Sequence, residues 1–89
     1  MPHSNQAKKR LRQDDRRRVA NRVLATRMKT EMKRVLGHLE NSDVEAAEQA
    51  LPAAFKRIDK AAKKNVIHSN NADRKKSRLT RAIARARSN

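Results

Sequence analysis

Twelve of the 24 lysines and arginines in this 89-residue chain fall between Lys8 and Arg34, and the other twelve fall between Lys56 and Arg87. The 21 residues separating the two blocks contain none and instead hold Glu40, Asp43, Glu45 and Glu48. Net charge by segment is +8 over residues 1–40, −3 over 41–55 and +10 over 56–89, within +15 for the whole chain. Self-repulsion on this scale works against a compact free state until an anionic partner cancels it. Two positive blocks joined by a neutral-to-acidic hinge have the layout of a clamp for a polyanion, and nucleic acid is the obvious candidate.

Leu, Ile, Val and Phe together number only 15, so any core is small and the length allows at most one domain. Against disorder stand 14 alanines, one glycine, two prolines and abundant Arg, Lys, Glu and Gln, a mixture whose summed preference is helical. The expectation is an all-α chain whose helices fold fully only on a partner. No cysteine is present, which removes disulfides, thiolate catalysis and Cys-ligated zinc. No apolar run reaches the roughly 18 residues of a membrane span, and the N-terminus lacks the apolar stretch of a secretory signal. A soluble, cytoplasmic protein is expected; the Arg-rich start imitates a transit peptide, but the basic character continues to the C-terminus.

Periodicity divides the chain into three helices, at about 6–39, 43–64 and 71–87. In the first, Leu24, Met28, Met32, Val35 and Leu39 share a sector of about 80°, with Arg22, Arg27, Lys29, Lys33 and Arg34 outside it. Upstream of Leu24 that sector carries Arg10, Asp14, Arg17 and Asn21, and cations from Lys8 to Arg18 point all round the axis. The expectation is a rod about 50 Å long whose first half overhangs the bundle. The second helix opens at Ser42-Asp43-Val44-Glu45, with Ser42 as the expected cap and Glu45 as its reciprocal partner, while Gly37 and Asn41 bracket the preceding turn. Its stripe is Val44, Ala47, Leu51, Ala54, Phe55, Ile58 and Ala62, interrupted by Pro52, where a kink around the core is favoured over a split. Asn65 suits a left-handed stop, Val66 and Ile67 dip into the core, and Ser69, Asn70 and Asn71 offer caps for the third helix. That helix carries Ala72, Leu79, Ile83 and Ala86 on one side and Arg74, Arg78, Arg81 and Arg85 on the reverse, a ladder suited to phosphates. Three stripes facing one another give a three-helix bundle.

Readers of single-stranded bases stack them on aromatic rings, yet the only ring of that kind is Phe55, which sits in an apolar stripe. Recognition then falls to phosphate and sugar contacts and the shape of a folded RNA. His3, His38 and His68 lack metal-site spacing, so no metal is expected. His68, beside the expected cap, either touches phosphate or holds the turn. Asp14 and Asp15 diverge by about 100° on a helix and sit among cations, a poor acid–base pair. With no glycine-rich phosphate loop and no nucleophile beside a base, neither catalysis, cofactor nor small-molecule substrate is expected. A nucleoid-type DNA binder would concentrate its cations on one groove-facing surface or carry a wedge. A membrane-surface peptide would carry bulky anchors where these stripes carry alanine, so no membrane partner is expected.

The segment Ile58–Leu79, IDKAAKKNVIHSNNADRKKSRL, and the opening Ser4–Arg12, SNQAKKRLR, resemble the corresponding segments of the bacterial small-subunit ribosomal protein number twenty family. The likeness extends over essentially the full length, in the order long basic first helix, acidic second-helix start, IDKAA, IH and RKKSRL. It implies a three-helix protein, monomeric within the particle, that binds small-subunit ribosomal RNA directly and braces RNA helices early in assembly of the small subunit. The RNA contacts it implies are Lys8, Lys9, Arg10 and Arg12, then Lys64, His68, Asn70, Arg74, Lys75, Lys76, Ser77 and Arg78. Charge and helical geometry add Arg16, Arg17, Arg18, Arg22, Arg27, Lys29, Lys33 and Arg34. Three positions depart from the family pattern: Asn65 stands where a Gly is usual, Ser69 where a basic residue is usual, and Asp73 where a small apolar residue is usual. Asn65 preserves the turn, whereas Asp73 either repels phosphate or caps the third helix.

Overall fold

Three apolar stripes meet in one alanine-rich core. In the computed structural model, which describes residues 5–88, the stripes lie on α1 (Asn5–Glu40), α2 (Val44–Lys63) and α3 (Ser69–Ser88), and no strand occurs among the described residues. The expected all-α architecture, a long first helix against two shorter ones, is what the chain forms. His3 and Ser4 of the opening stretch, like the ends of a domain spanning 1–89, lie outside the described residues.

The core comprises Met28, Met32 and Val35 of α1, Ala47, Ala54, Ile58 and Ala61 of α2, and Ala72, Leu79 and Ile83 of α3. Val66 and Ile67 pack against this cluster, as expected, together with Leu36, Leu39, Leu51 and Phe55. On α2 the buried line is rotated toward Ala61, which the stripe through Ala62 misses. No polar or charged residue is buried among the described residues, so the core is held by apolar packing alone. α1 packs most extensively on α2 and least on α3.

Both connections begin with the same backbone device. At the end of α1 the Asp43 N–H donates to His38 O (2.8 Å) and the Ser42 N–H to Leu39 O (3.0 Å), with Ser42 left-handed at φ 61. At the end of α2 the Val66 N–H donates to Ala61 O (2.8 Å) and the Asn65 N–H to Ala62 O (3.0 Å), with Asn65 at φ 60. These paired bonds satisfy the carbonyls that a helix leaves open at its C-terminus. Asn65 does what its sequence position suggests.

The starts of α2 and α3 differ from expectation. Ser42 does not cap α2: it is spent as the left-handed residue closing α1, and the cap passes to Asp43, whose carboxylate accepts from the Ala46 N–H at 3.1 Å. Nor do Ser69, Asn70 and Asn71 cap α3, since all three lie inside it. The residue before them, His68, takes that place: its imidazole Nδ1 accepts from the Asn70 N–H (3.1 Å) and its carbonyl from the Ala72 N–H (3.0 Å). With α3 starting at Ser69, Asp73 falls outside the first turn, which excludes the capping role considered for it. Pro52 sits exposed inside α2, which continues through it without splitting. Gly37 lies inside α1, away from the turn it was expected to bracket.

α1 is 36 residues long, about 54 Å at about 1.5 Å per residue, and the molecule measures 63 × 22 × 18 Å. From Asn5 to Ala20 every residue except Ala7 is exposed, and the first buried side chain of α1 is Met28. The N-terminal half of α1 therefore projects beyond the bundle.

Candidate nucleic-acid interface

A helix with no apolar stripe has no face to bury, and that dictates where the first basic block goes. Lys8, Lys9, Arg10, Arg12, Arg16, Arg17 and Arg18 radiate from the projecting half of α1, all exposed. Over the bundle, packing of Met28, Met32 and Val35 turns the remaining cations of α1 outward, and Arg22, Arg27, Lys29, Lys33 and Arg34 are likewise exposed. Of the later residues, Lys64, His68, Asn70, Arg74, Ser77 and Arg78 are exposed, while Lys75 and Lys76 are partly buried.

Two concavities gather these cations, and the first of them joins the two blocks. Where α1 leaves the bundle, Arg17, Ala20, Asn21 and Leu24 face Lys64 and Asn65 across a notch of about 550 Å³. Lys64 reaches that wall as the residue that ends α2, its N–H still bonded to Lys60 O. The second concavity, also about 550 Å³, runs along α3 beside Leu36 of α1 and is lined by Asp73, Arg74, Ser77, Arg78, Arg81, Ala82 and Arg85. Arg81 and Arg85 thus join Arg74 and Arg78 in one groove, although both lie beyond the RKKSRL stretch. Their four-three-four spacing on one helix face is the sequence signal for them. Asp73 is the single acid in the groove lining.

The ion pairs show which cations already have protein partners. Lys76 pairs with Asp59 of α2, and its ammonium lies 5.7 Å from the centroid of the Phe55 ring. Arg87 pairs with Glu48, tying the end of α3 to α2, and Arg34 Nη1 lies 3.2 Å from Glu31 Oε1 within α1. No ion pair among the described residues engages the other lysines and arginines, so most of the positive charge faces outward uncompensated. Such a surface gains free energy by displacing the counterions condensed on a polyanion.

His68 is exposed, and only its Nδ1 is engaged in the cap, which leaves Nε2 outside it. No group of three or more His, Cys, Asp or Glu side chains that could hold a metal occurs among the described residues. No helix among the described residues is long and apolar enough to cross a membrane.

The chain is similar to known proteins over nearly its whole length. A family model described as Ribosomal protein S20 matches residues 2–84. Small ribosomal subunit protein bS20 of Persephonella marina is 46% identical over 87 residues, covering 98% of this chain and 95% of that protein. Its counterpart in Rhodopirellula baltica is 43% identical over 86 residues, covering 97% and 96%. That of Natranaerobius thermophilus is 49% identical over 80 residues, covering 90% and 91%. With a family match over most of its length and relatives this similar end to end, the chain belongs to the ribosomal protein S20 family.

Proposed function

We propose that this protein is a structural constituent of the small ribosomal subunit that binds small-subunit ribosomal RNA directly and braces separate RNA helices during assembly. It acts as one copy per particle in the cytoplasm, without catalysis or cofactor. The observation that carries this reading is the projecting half of α1, where seven exposed cations from Lys8 to Arg18 point in every direction around a rod with no protein surface to cover it. A one-sided cation surface suits the outside of a duplex, whereas an all-round one suits a polyanion that encloses it. The notch joining Arg17 to Lys64 and the groove of Arg74, Arg78, Arg81 and Arg85 supply further grips. Phosphate neutralisation gives the affinity, and the fixed spacing of the grips selects a folded RNA over an unstructured one.

The test is a photocrosslinking residue placed at position 17 or at position 78 in the full chain, assembled with small-subunit ribosomal RNA. Crosslinks from the two positions to different RNA helices are expected. Crosslinks from both to one helix would remove the bracing role, and equal crosslinking to competing duplex DNA would remove the preference for folded RNA.

A further inference from the structure

We infer that the outward face of α1 between Arg16 and Gly37 is a docking ridge for double-helical RNA, seated in the minor groove with a row of cations against each flanking backbone. This rests on the RNA-binding reading above and adds the face, the form of RNA and the groove.

Around the axis of α1, Val19, Val23, Thr26, Thr30 and Gly37 share a sector of about 60° opposite the buried line of Met28, Met32 and Val35. Arg22, Lys29 and Lys33 run along one margin of that sector, and Arg16, Arg27 and Arg34 along the other, all exposed. Glu31 is the only acid of α1 between Asp15 and Glu40; it lies outside the sector and is held by Arg34 at 3.2 Å. The ridge is thus uncharged and both margins are positive.

Two details point to a surface pressed against this ridge. Val19 is 62% and Val23 42% exposed in a chain that has few large apolar residues to spare. A Cβ built on Gly37 meets nothing within 4 Å, and no glycine has a positive φ, so neither packing nor backbone conformation within this protein calls for glycine there. Close approach of another molecule to the helix backbone does.

Among RNA surfaces, the A-form major groove is too deep and narrow to admit this ridge, whereas the minor groove is wide, shallow and lined by riboses and 2′-hydroxyls. Valine and threonine match ribose, and the two cation rows match the phosphate lines on either side of the groove. A single strand would call for stacking rings, and Phe55, the chain's one aromatic, stands on α2.

Because the chain has no cysteine, a single one introduced as V23C or T30C can carry an iron chelate for hydroxyl-radical cleavage within the complex of the full chain and small-subunit ribosomal RNA. The expected cuts fall on both strands of one duplex, facing each other across a minor groove. Cuts confined to unpaired nucleotides, cuts across a major groove, or cuts no stronger than from a cysteine at Gln49 on α2 would each overturn the inference. A second measurement raises the ridge with Thr30→Leu and Gly37→Leu, both of which favour the helix, so the free protein should melt no lower than the parent. RNA affinity at fixed salt should fall about tenfold or more while the salt dependence keeps its slope. Unchanged affinity beside a steeply salt-dependent parent overturns the ridge alone, whereas a parent with no steep salt dependence brings down the RNA-binding reading itself.

Discussion

The imidazole Nδ1 of His68 accepts a hydrogen bond from the backbone N–H of Asn70 at 3.1 Å, so the exposed side chain that starts α3 leaves its other nitrogen outside the cap. Replacing His68 with alanine removes the cap and should lower stability by about 1 kcal/mol, the usual cost of losing an N-cap. His68→Asn restores a side-chain acceptor at the same place and should recover most of that stability. RNA affinity should not recover in step, since the ring Nε2 left outside the cap is absent from both variants. Chemical denaturation beside RNA titration separates the two roles; equal recovery of stability and affinity would mean that His68 acts only as a cap.

Lys76 and Arg78 stand two residues apart in the same RKKSRL stretch yet face different partners. Lys76 is held by Asp59 and the Phe55 ring, while Arg78 lines the α3 groove. Arg78→Ala should therefore reduce the log–log salt slope of RNA binding by about 0.7–0.9, the value of one phosphate contact. Lys76→Ala should change that slope less and instead cost some tenths of a kcal/mol in stability, the scale of an exposed ion pair with a cation–π contact. A larger slope change for Lys76→Ala than for Arg78→Ala would contradict this division.

Two backbone positions make opposite demands. Asn65 is held at φ 60, so Asn65→Gly should be neutral or stabilising, and Asn65→Ala should destabilise by about 1 kcal/mol. Gly37 lies inside α1 with open space around its missing Cβ, so Gly37→Ala should stabilise the free protein by about 0.5–1 kcal/mol. Thermal unfolding of the three variants checks both signs.

Much of this arrangement is legible in the sequence, and what is not has identifiable causes. Met28, Met32 and Val35 stand out because large apolar side chains recur at helical spacing, and Asn65 because few residues tolerate a left-handed turn. Ala61 is hidden because alanine carries little hydropathy signal, even where it is fully buried. The exchange of cap from Ser42 to Asp43 depends on how α1 ends, and two adjacent cap-competent residues do not reveal which one the preceding helix will consume. His68 is missed as a cap because Ser69, Asn70 and Asn71 are stronger cap formers by type. For the interface, the Arg74–Arg85 ladder follows from spacing alone, but the groove beside it requires Leu36 from a helix far away in sequence.

The projecting half of α1 has almost no apolar contact to hold it. Its amides from Asn5 to Ala20 should exchange with solvent at near-unprotected rates in the free protein, because the opening free energy of a helix without tertiary packing is close to zero. On binding ribosomal RNA the same amides should become protected. Strong protection without RNA would mean that the segment is stable by itself.

The most direct measurement is the affinity of the full chain for small-subunit ribosomal RNA across a range of salt concentrations. If on the order of ten phosphates are neutralised, the log–log slope should lie at roughly −7 to −9, from about 0.7–0.9 per contact. A slope shallower than about −3, too few phosphates for two basic blocks to be engaged together, would contradict the clamp.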